Sequence, residues 1–274
     1  MLTDSGGFQI FSLSKLRKIT EDGVTFKDPN NGDEKFISPE KSIQIQIALG
    51  ADMIVSFDDL SGLSETEKTR IPEAVERTHR WLDRCIVEFK RLTADMPKNK
   101  RPLLFGVVQG GLSIELRKKS LEFIQSSEVD GIAIGGLSVG ETSSEMYGVL
   151  ESIAPFYDID RPRFLLGVGA PKDLRVAVEN GIDMLDCVLP TRNARHGTVW
   201  ITGDRSVHLT NNRFESDPGP IDPTCDCYTC KSGFSLAFLK HQFKVHEPLA
   251  GSLASIHNLR YLTRICEEYR SQLR

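Results

Sequence analysis

Three acidic positions could share one piece of chemistry, because each lies at the end of a short apolar run that predicts a buried strand. They are Asp4, Asp58 (followed by Asp59) and Asp186. A single aspartate in such a place is commonly a helix N-cap or a turn residue. Three of them point into one cavity if their strands belong to one barrel. Paired carboxylates there suit glycosidic chemistry, in which one attacks the anomeric carbon and the other moves protons.

Further polar residues follow the predicted strands. Gln109 in "VVQGG" offers both a donor and an acceptor, as the edge of a nucleobase requires. Gly136, in "IGGLSVGE", leaves its backbone open to close approach by a ligand, and tight-turn geometry is the alternative explanation. Arg192 and Arg195 in "PTRNARHG" could contact phosphates or base edges; the alternative is a solvated loop.

The segment "CDCYTC" predicts a metal site, because it places three thiols within six residues, at Cys225, Cys227 and Cys230. Three unpaired thiols in one loop would be the alternative. The downstream candidates for a fourth ligand are His241, His246 and His257. We favour His257, because "HNLRYL" would begin the last helix and that helix would hold the ligand firmly. Thiolates and an imidazole in a closed four-ligand site favour structural zinc.

The elements that must position these residues alternate along the chain. The predicted strands are Leu2–Thr3, Met53–Phe57, Leu103–Val108, Gly131–Ile134, Phe164–Val168 and Met184–Val188. The predicted helices are Pro39–Leu49, with Ser38 as N-cap, then Pro72–Leu92, Ser113–Ser126, Ser143–Ile153, Pro171–Asn180, Ser235–Lys244 and Asn258–Arg270. Strands that alternate with helices predict parallel βαβ units. Because the polar residues follow the strands, a (β/α)8 barrel with its active site at the strand ends is favoured.

Length and charge set limits on the class of protein. A chain of 274 residues with 39% hydrophobic and 26% charged residues predicts a globular protein that fits one barrel. The net charge of −4 argues against a general nucleic-acid coat protein, although it allows a local basic surface. The sequence contains no apolar run of membrane-spanning length and no secretory signal, so a cytoplasmic protein without a membrane partner is predicted.

The motifs together resemble the tRNA-guanine transglycosylases over essentially the whole chain. The matching segments, in order, are "TDSGGFQ", "GVVQGG", "GGLSVGE", "LLGVG", "DMLDCVLPTRNARHG" and "CDCYTC…HNL". The resemblance implies an α/β (β/α)8 TIM-type barrel with a small zinc-binding subdomain. It also implies exchange of guanine at the anticodon wobble position of tRNA for a 7-deazaguanine, preQ1 in the bacterial type, in queuosine biosynthesis. The family has two more strands ahead of "TDSGGFQ", so the barrel is expected to lack its first two strands.

The resemblance also implies a role for each matching residue. Asp186 resembles the nucleophile that forms the covalent tRNA intermediate, and Asp4 the general acid/base. The residues similar to those that bind the base are Asp58, Gln109, Gly136, Phe8 and Leu166. Those similar to the tRNA-binding residues are Arg192 and Arg195. The zinc ligands correspond to Cys225, Cys227, Cys230 and His257.

Domain organisation and partners follow from the same resemblance. Residues 1–200 are expected to form the barrel with strands three to eight, and residues 201–274 the zinc-binding subdomain and C-terminal helices. The expected partners are tRNA with a guanine at the wobble position, guanine and 7-deazaguanine bases, and a second copy in a homodimer.

Several residues depart from the bacterial pattern. Leu60 and Gly62 stand where that pattern has Cys and Pro, and His196 replaces an Asn, whereas Val139 is typical of the bacterial type. Two alternatives stay open: a queuine-inserting transglycosylase, and a non-catalytic zinc-bearing tRNA-binding subunit.

Overall fold

The computed structural model of the chain describes residues 1–12 and 17–272. Its strands are β1 (Leu2–Thr3), β2 (Arg17–Ile19), β3 (Val24–Lys27), β4 (Glu34–Ile37), β5 (Met53–Val55), β6 (Leu103–Val108), β7 (Gly131–Ile134), β8 (Arg163–Leu165), β9 (Met184–Leu185), β10 (Thr198–Ile201) and β11 (Arg205–His208). Its α-helices are α1 (Gly7–Ser12), α2 (Pro39–Ala48), α3 (Glu65–Lys68), α4 (Ile71–Thr93), α5 (Ile114–Ser126), α6 (Ser143–Ile153), α7 (Pro171–Glu179), α8 (Leu189–Arg195), α9 (Tyr228–Lys231), α10 (Leu236–Lys244) and α11 (Pro248–Gln272).

Six parallel strands form the main sheet, in the order β1-β5-β6-β7-β8-β9. Helices separate successive strands, which is the repeat of the (β/α)8 barrel. The predicted α/β class with six barrel-type strands is therefore confirmed. Strand β5 is shorter than predicted, because the chain leaves the ladder after Val55 and carries the following polar residues into the candidate site.

One face of this sheet is filled by apolar side chains from neighbouring strands. Val55, Phe105, Val107, Ala133 and Phe164 form a buried cluster, and the rings of Phe105 and Phe164 meet edge to face at 6.4 Å between centroids. Layers of this kind fill the interior of an α/β barrel. The packed interior makes the sheet a rigid base for the loops that follow its strands.

Helix α4 packs behind the site loop that follows β5. Its buried residues recur at helical spacing, and Trp81 stacks on Phe57 at 4.9 Å between ring centroids. The Trp81 indole also donates to the carbonyl of Glu21, which lies just after β2. Strands β2 to β4 form a small antiparallel sheet that the sequence analysis did not predict.

The chain divides into two compact units. The first comprises Met1–Leu166 and Ala177–Leu185 and contains the main sheet; the second comprises Gly167–Val176 and the chain from Asp186 onward. The second unit has its own core, in which the β10–β11 hairpin packs with residues of α8 to α11. The functional boundary expected after residue 200 stays a prediction. Within residues 1–12 and 17–272, no helix is long and apolar enough to cross a membrane.

Candidate active site and metal centre

The turn after β1 brings Asp4 and its neighbours close to Asp58. The exposed Asp4 carboxylate accepts a 2.7 Å hydrogen bond from the backbone N–H of Ser5. The buried Ser5 hydroxyl donates to Asp58 at 3.3 Å and accepts from the N–H of Gly7 at 3.2 Å. A Cβ at Gly7 would lie 2.6 Å from Asp58 Oδ1, so only glycine allows this approach. The "DSGG" segment is thus the close-fitting turn that its glycines suggest.

Asp58 is a buried carboxylate with a strongly changed proton affinity. Burial, followed by the negative charge of Asp4, raises its pKa to about 7. The side-chain amide of Gln109 donates to Asp58 Oδ2 at 2.7 Å, and this contact together with Ser5 partly offsets the increase. At neutral pH the group is therefore divided between its acid and its carboxylate. Perturbed carboxyl groups of this kind are enriched at functional sites.

Asp59, although adjacent in sequence, has a different environment. Its side chain is fully buried and accepts from Arg70 at 2.6 and 2.7 Å and from Arg77 at 2.6 Å. The two guanidinium groups neutralise this carboxylate and attach the loop to helix α4. Asp59 therefore supports the loop, whereas Asp58 contacts Ser5 and Gln109.

Gln109 lies directly against the glycine pair that follows β7. A Cβ at Gly135 would lie 2.9 Å from Gln109 Nε2, and one at Gly136 would lie 2.2 Å from Gln109 Oε1. Gly136 has a φ of +63°, which also favours glycine. Within the part of the chain that the structure describes, the backbone N–H groups of Gly136 and Leu137 donate no hydrogen bond. Buried N–H groups without a partner are uncommon, which makes these two groups candidates to donate to a ligand.

Two apolar residues predicted to contact a base also lie in the first unit. Phe8, on the short helix α1, is 53% exposed, with its ring 6.3 Å from that of Phe11. Leu166 follows β8, is partly buried against the interior cluster of the sheet, and donates its N–H to the carbonyl of Ile134. An exposed aromatic ring is a suitable surface for stacking on a purine.

Asp186 lies in the second unit, immediately after the end of β9. Its side chain is exposed, and Oδ1 accepts a 2.9 Å hydrogen bond from the N–H of Gly167. Cys187, the next residue, packs against Gly169, where a Cβ would lie 2.6 Å from the cysteine Cβ. Burial raises the pKa of the Cys187 thiol. The segment therefore holds the Asp186 carboxylate by a backbone contact and leaves its charge accessible to solvent.

Arg192 and Arg195 lie on helix α8, in a segment where the sequence analysis predicted no helix. Both side chains are exposed, while Ala194 between them is fully buried. Asn258 of α11 donates to the carbonyl of Pro190 at 3.0 Å and thereby fixes the first turn of α8. The two arginines are three residues apart and therefore lie on one helix face.

The candidate metal centre is a cluster of three cysteines and one histidine. The donor atoms of Cys225, Cys227, Cys230 and His257 all lie within 4.8 Å of one another. His257 Nδ1 is 3.3 Å from the sulfur of Cys230 and 3.6 Å from that of Cys227. The other ring nitrogen, Nε2, donates to the carbonyl of Trp200 at 2.6 Å. This second contact presents the Nδ1 lone pair to the thiols, as in metal-binding histidines.

The donor set fits a tetrahedral soft metal ion. Hydrogen bonds from Cys227 and Cys230 hold the pKa of Cys225 well below its usual range, so a thiolate forms readily among these donors. His257 is the tenth residue of α11, so the expectation that it begins the last helix is wrong. That helix starts earlier because Pro248 suits a first turn. The interior of a long helix positions the imidazole as firmly as a helix start.

Two buried polar residues of α5 contact the candidate base site and were not found from the sequence. Arg117 and Ser120 are fully buried and belong to the stripe formed with Leu121 and Ile124. The spacing i, i+3, i+4 and i+7 marks a core-facing helix face. An arginine and a serine on that face are the signal that could have identified them.

The first unit contains a parallel sheet with carboxylates at its strand ends, and the second unit contains a Cys3His group. This is the architecture of a barrel enzyme that carries a metal-binding subdomain. A family model described as "Queuine tRNA-ribosyltransferase" matches residues 1–274. Curated relatives of that name come from Psychrobacter cryohalolentis (47% identity, covering 100% of this chain and 70% of the relative), Haemophilus influenzae strain Rd (46%, 100% and 69%) and Herpetosiphon aurantiacus (47%, 100% and 67%).

The chain belongs to the queuine tRNA-ribosyltransferase family. The family consists of pentosyltransferases, which are glycosyltransferases, so the expected enzyme class is confirmed. Membership of this family also supports tRNA and guanine-type bases as the substrates.

Proposed function

We propose that this protein exchanges guanine at the anticodon wobble position of tRNA for the 7-deazaguanine preQ1, in queuosine biosynthesis. The observation that carries the proposal is the match between one buried set of groups and the edge of guanine. Asp58 offers carboxylate oxygens for the N1–H and the 2-amino group of guanine. Gln109 and the N–H of Gly136 offer donors to its 6-oxo oxygen.

The chemistry assigned to the carboxylates is a double displacement. Asp186 attacks C1′ of the ribose, the C1′–N9 bond breaks, and guanine leaves with the bonding electrons. Asp4 supplies a proton to the leaving base and later removes one from the incoming base. That base then attacks C1′ and releases Asp186. A covalent aspartyl-tRNA intermediate conserves the glycosidic bond energy and predicts ping-pong kinetics.

The remaining residues bind the two substrates. Phe8 and Leu166 are proposed to pack on the faces of the purine, and Arg192 and Arg195 to contact nucleotides beside the target. A wobble base lies in a loop, so removing it from the stack costs less than it would in a duplex. The accessible arginines on α8 support this assignment.

Zinc is the proposed metal of the Cys3His cluster. When bound, the ion would connect Cys230 of α9 to His257 of α11, with Cys225 and Cys227, which precede α9, as the other two ligands. Four protein ligands leave no open position for a substrate, so its proposed role is structural. We also propose a homodimer, which multi-angle light scattering of the purified protein would test.

Base exchange into tRNA tests the function directly. Radiolabelled guanine should enter tRNA in the presence of the protein, and unlabelled preQ1 should then displace it. Displacement by queuine instead would favour the alternative substrate, and failure of any exchange would favour the non-catalytic tRNA-binding subunit.

The nucleophile needs its own experiment. Asp186→Asn should abolish a denaturant-stable protein–RNA adduct. Asp183→Asn is the matched control, because Asp183 lies at the other end of β9 and binds Arg163. An adduct that survives Asp186→Asn would refute the assignment.

A further inference from the structure

The buried guanidinium of Arg117 connects the two loops of the candidate base site. Nε donates to the carbonyl of Gly111 at 2.8 Å, and Nη1 donates to those of Val108 at 3.1 Å and Gly135 at 2.5 Å. Nη2 donates to the carbonyl of Gly136 at 2.9 Å. One side chain therefore binds four backbone carbonyls: that of Val108 at the end of β6, that of Gly111 in the following loop, and the two after β7.

Burial of this arginine carries a desolvation cost. Its exposure is 0%, and burial lowers its pKa to about 10. Among residues 1–12 and 17–272, no carboxylate forms an ion pair with it. An apolar side chain of similar length could fill such a position without the desolvation cost. The presence of a guanidinium therefore indicates a requirement for its directed hydrogen bonds.

The hydrogen bonds of Arg117 determine where the neighbouring N–H groups point. In a trans peptide the C=O and N–H point in opposite directions. Because the Gly135 and Gly136 carbonyls face Arg117, the N–H groups of Gly136 and Leu137 point away from α5. Neither of these two N–H groups donates a hydrogen bond to another of the described residues. Arg117 thus holds both ready to donate to a ligand.

Ser120, one helical turn further along α5, holds Gln109 in the same way. Its hydroxyl accepts from the backbone N–H of Gln109 at 3.1 Å and contacts Nε2 of His79 at 3.1 Å. Arg117 and Ser120 lie three residues apart and therefore on one face of the helix. One face of α5 thus controls both loops that carry donors.

We propose that Arg117, assisted by Ser120, is a positioning residue that makes the site selective for purines with an oxygen at position 6. This inference rests on the proposed function, since it assigns Gly136, Leu137 and Gln109 to the recognition of that oxygen. Lysine cannot replace the arginine, because a single ammonium group lacks the planar fork that reaches four carbonyls in two loops.

Calorimetric binding of guanine and of 6-thioguanine to the 274-residue protein tests the proposal. The two bases share the N1–H and the 2-amino group and differ at position 6, where sulfur is the weaker acceptor. The wild-type protein should bind guanine more tightly. Arg117→Lys should weaken guanine binding by ~10-fold, the effect of about one lost hydrogen bond, and change 6-thioguanine binding by less than ~3-fold. The ratio of guanine affinity to 6-thioguanine affinity in this variant would then approach one.

The control variant is Arg101→Lys, because Arg101 precedes β6 at its opposite end and pairs with Asp130. It should leave both affinities unchanged. If Arg117→Lys does not fold, Ser120→Ala decides, and it should lower the guanine to 6-thioguanine ratio by ~3-fold. An unchanged ratio, or an equal loss of both affinities, in a folded variant overturns the inference. A wild-type protein that binds neither base overturns the proposed function itself.

Discussion

Replacing Asp58 with asparagine should stabilise the protein at alkaline pH, although the residue lies at the centre of the candidate site. Asparagine has nearly the same shape and can keep both contacts. Its oxygen can accept from Gln109, and its amide can donate to the Ser5 hydroxyl. The substitution therefore removes a buried ionisable group without removing the hydrogen bonds around it.

The direction of this change in stability follows from the pKa of Asp58, which rises from 3.8 to about 7 in the folded protein. The buried neutral acid contributes stability that is fully present below pH 3.8 and is lost as pH rises through 7. Each pKa unit corresponds to about 1.4 kcal/mol, so the loss reaches ~4 kcal/mol at pH 8. Asp58→Asn should thus gain ~4 kcal/mol over the wild type at pH 8 and less than ~1 kcal/mol at pH 4.

Urea unfolding at pH 4, 6 and 8 measures this difference. Asp59→Asn is the matched control, because that neighbouring carboxylate is also buried but is paired with Arg70 and Arg77. Removing its charge leaves two guanidinium groups without their shared partner, and should destabilise the protein by about 3 kcal/mol at pH 8. Opposite effects of the same substitution at adjacent positions are therefore expected. If Asp58→Asn is neutral or destabilising at pH 8, the reasoning from burial and the Asp4 charge is wrong.

Four further predictions follow from the same structure. Guanine affinity, measured by calorimetry, should rise between pH 6 and 8 as Asp58 ionises, and Asp58→Asn should abolish that rise. Gly7→Ala should destabilise the protein by ~1–3 kcal/mol in urea unfolding, because the new Cβ meets Asp58 Oδ1 at 2.6 Å; an unchanged midpoint would contradict the close approach. Cys230→Ala should release the metal in elemental analysis and lower the melting temperature, and a metal content equal to wild type would exclude this cysteine as a ligand. Asn258→Ala should weaken tRNA binding in filter assays by loosening α8, with little change in guanine affinity; equal loss of both would argue against a local effect on the arginines.

The sequence was sufficient for the elements whose pattern is local. The parallel strands were found because each is a short apolar run, and α2 because Ser38 is a good N-cap and Pro39 suits the first turn. Strands β2 to β4 were missed because charged residues interrupt their apolar pattern and leave no clear alternation.

The sequence was sufficient to predict the residue types of the candidate site. It was not sufficient to predict their protonation or the contacts that hold them in place. The segment "FDD" does not indicate that the pKa of Asp58 is raised to about 7 or that Asp59 pairs with two arginines. Arg70 and Arg77 come from another part of the chain. Likewise, the "HNL" segment suggests a ligand at His257 but does not indicate that Asn258 binds residues of α8 and β10. Long-range contacts of this kind depend on the fold and not on local spacing.

The support of the base site has a consistent physical logic. The polar groups proposed to contact the base are short: two glycine peptides, an amide and a carboxylate. Their direction is set by the buried donors and acceptors behind them. Arg117 fixes the peptides, Ser120 fixes Gln109, and Ser5 binds Asp58. Because Arg117 and Ser120 both lie on α5, recognition of the base depends on packing of α5 against the sheet. Substitutions that loosen that packing, such as Ile124→Ala, should therefore reduce base affinity in addition to stability, although Ile124 contacts Gly106 and not the site.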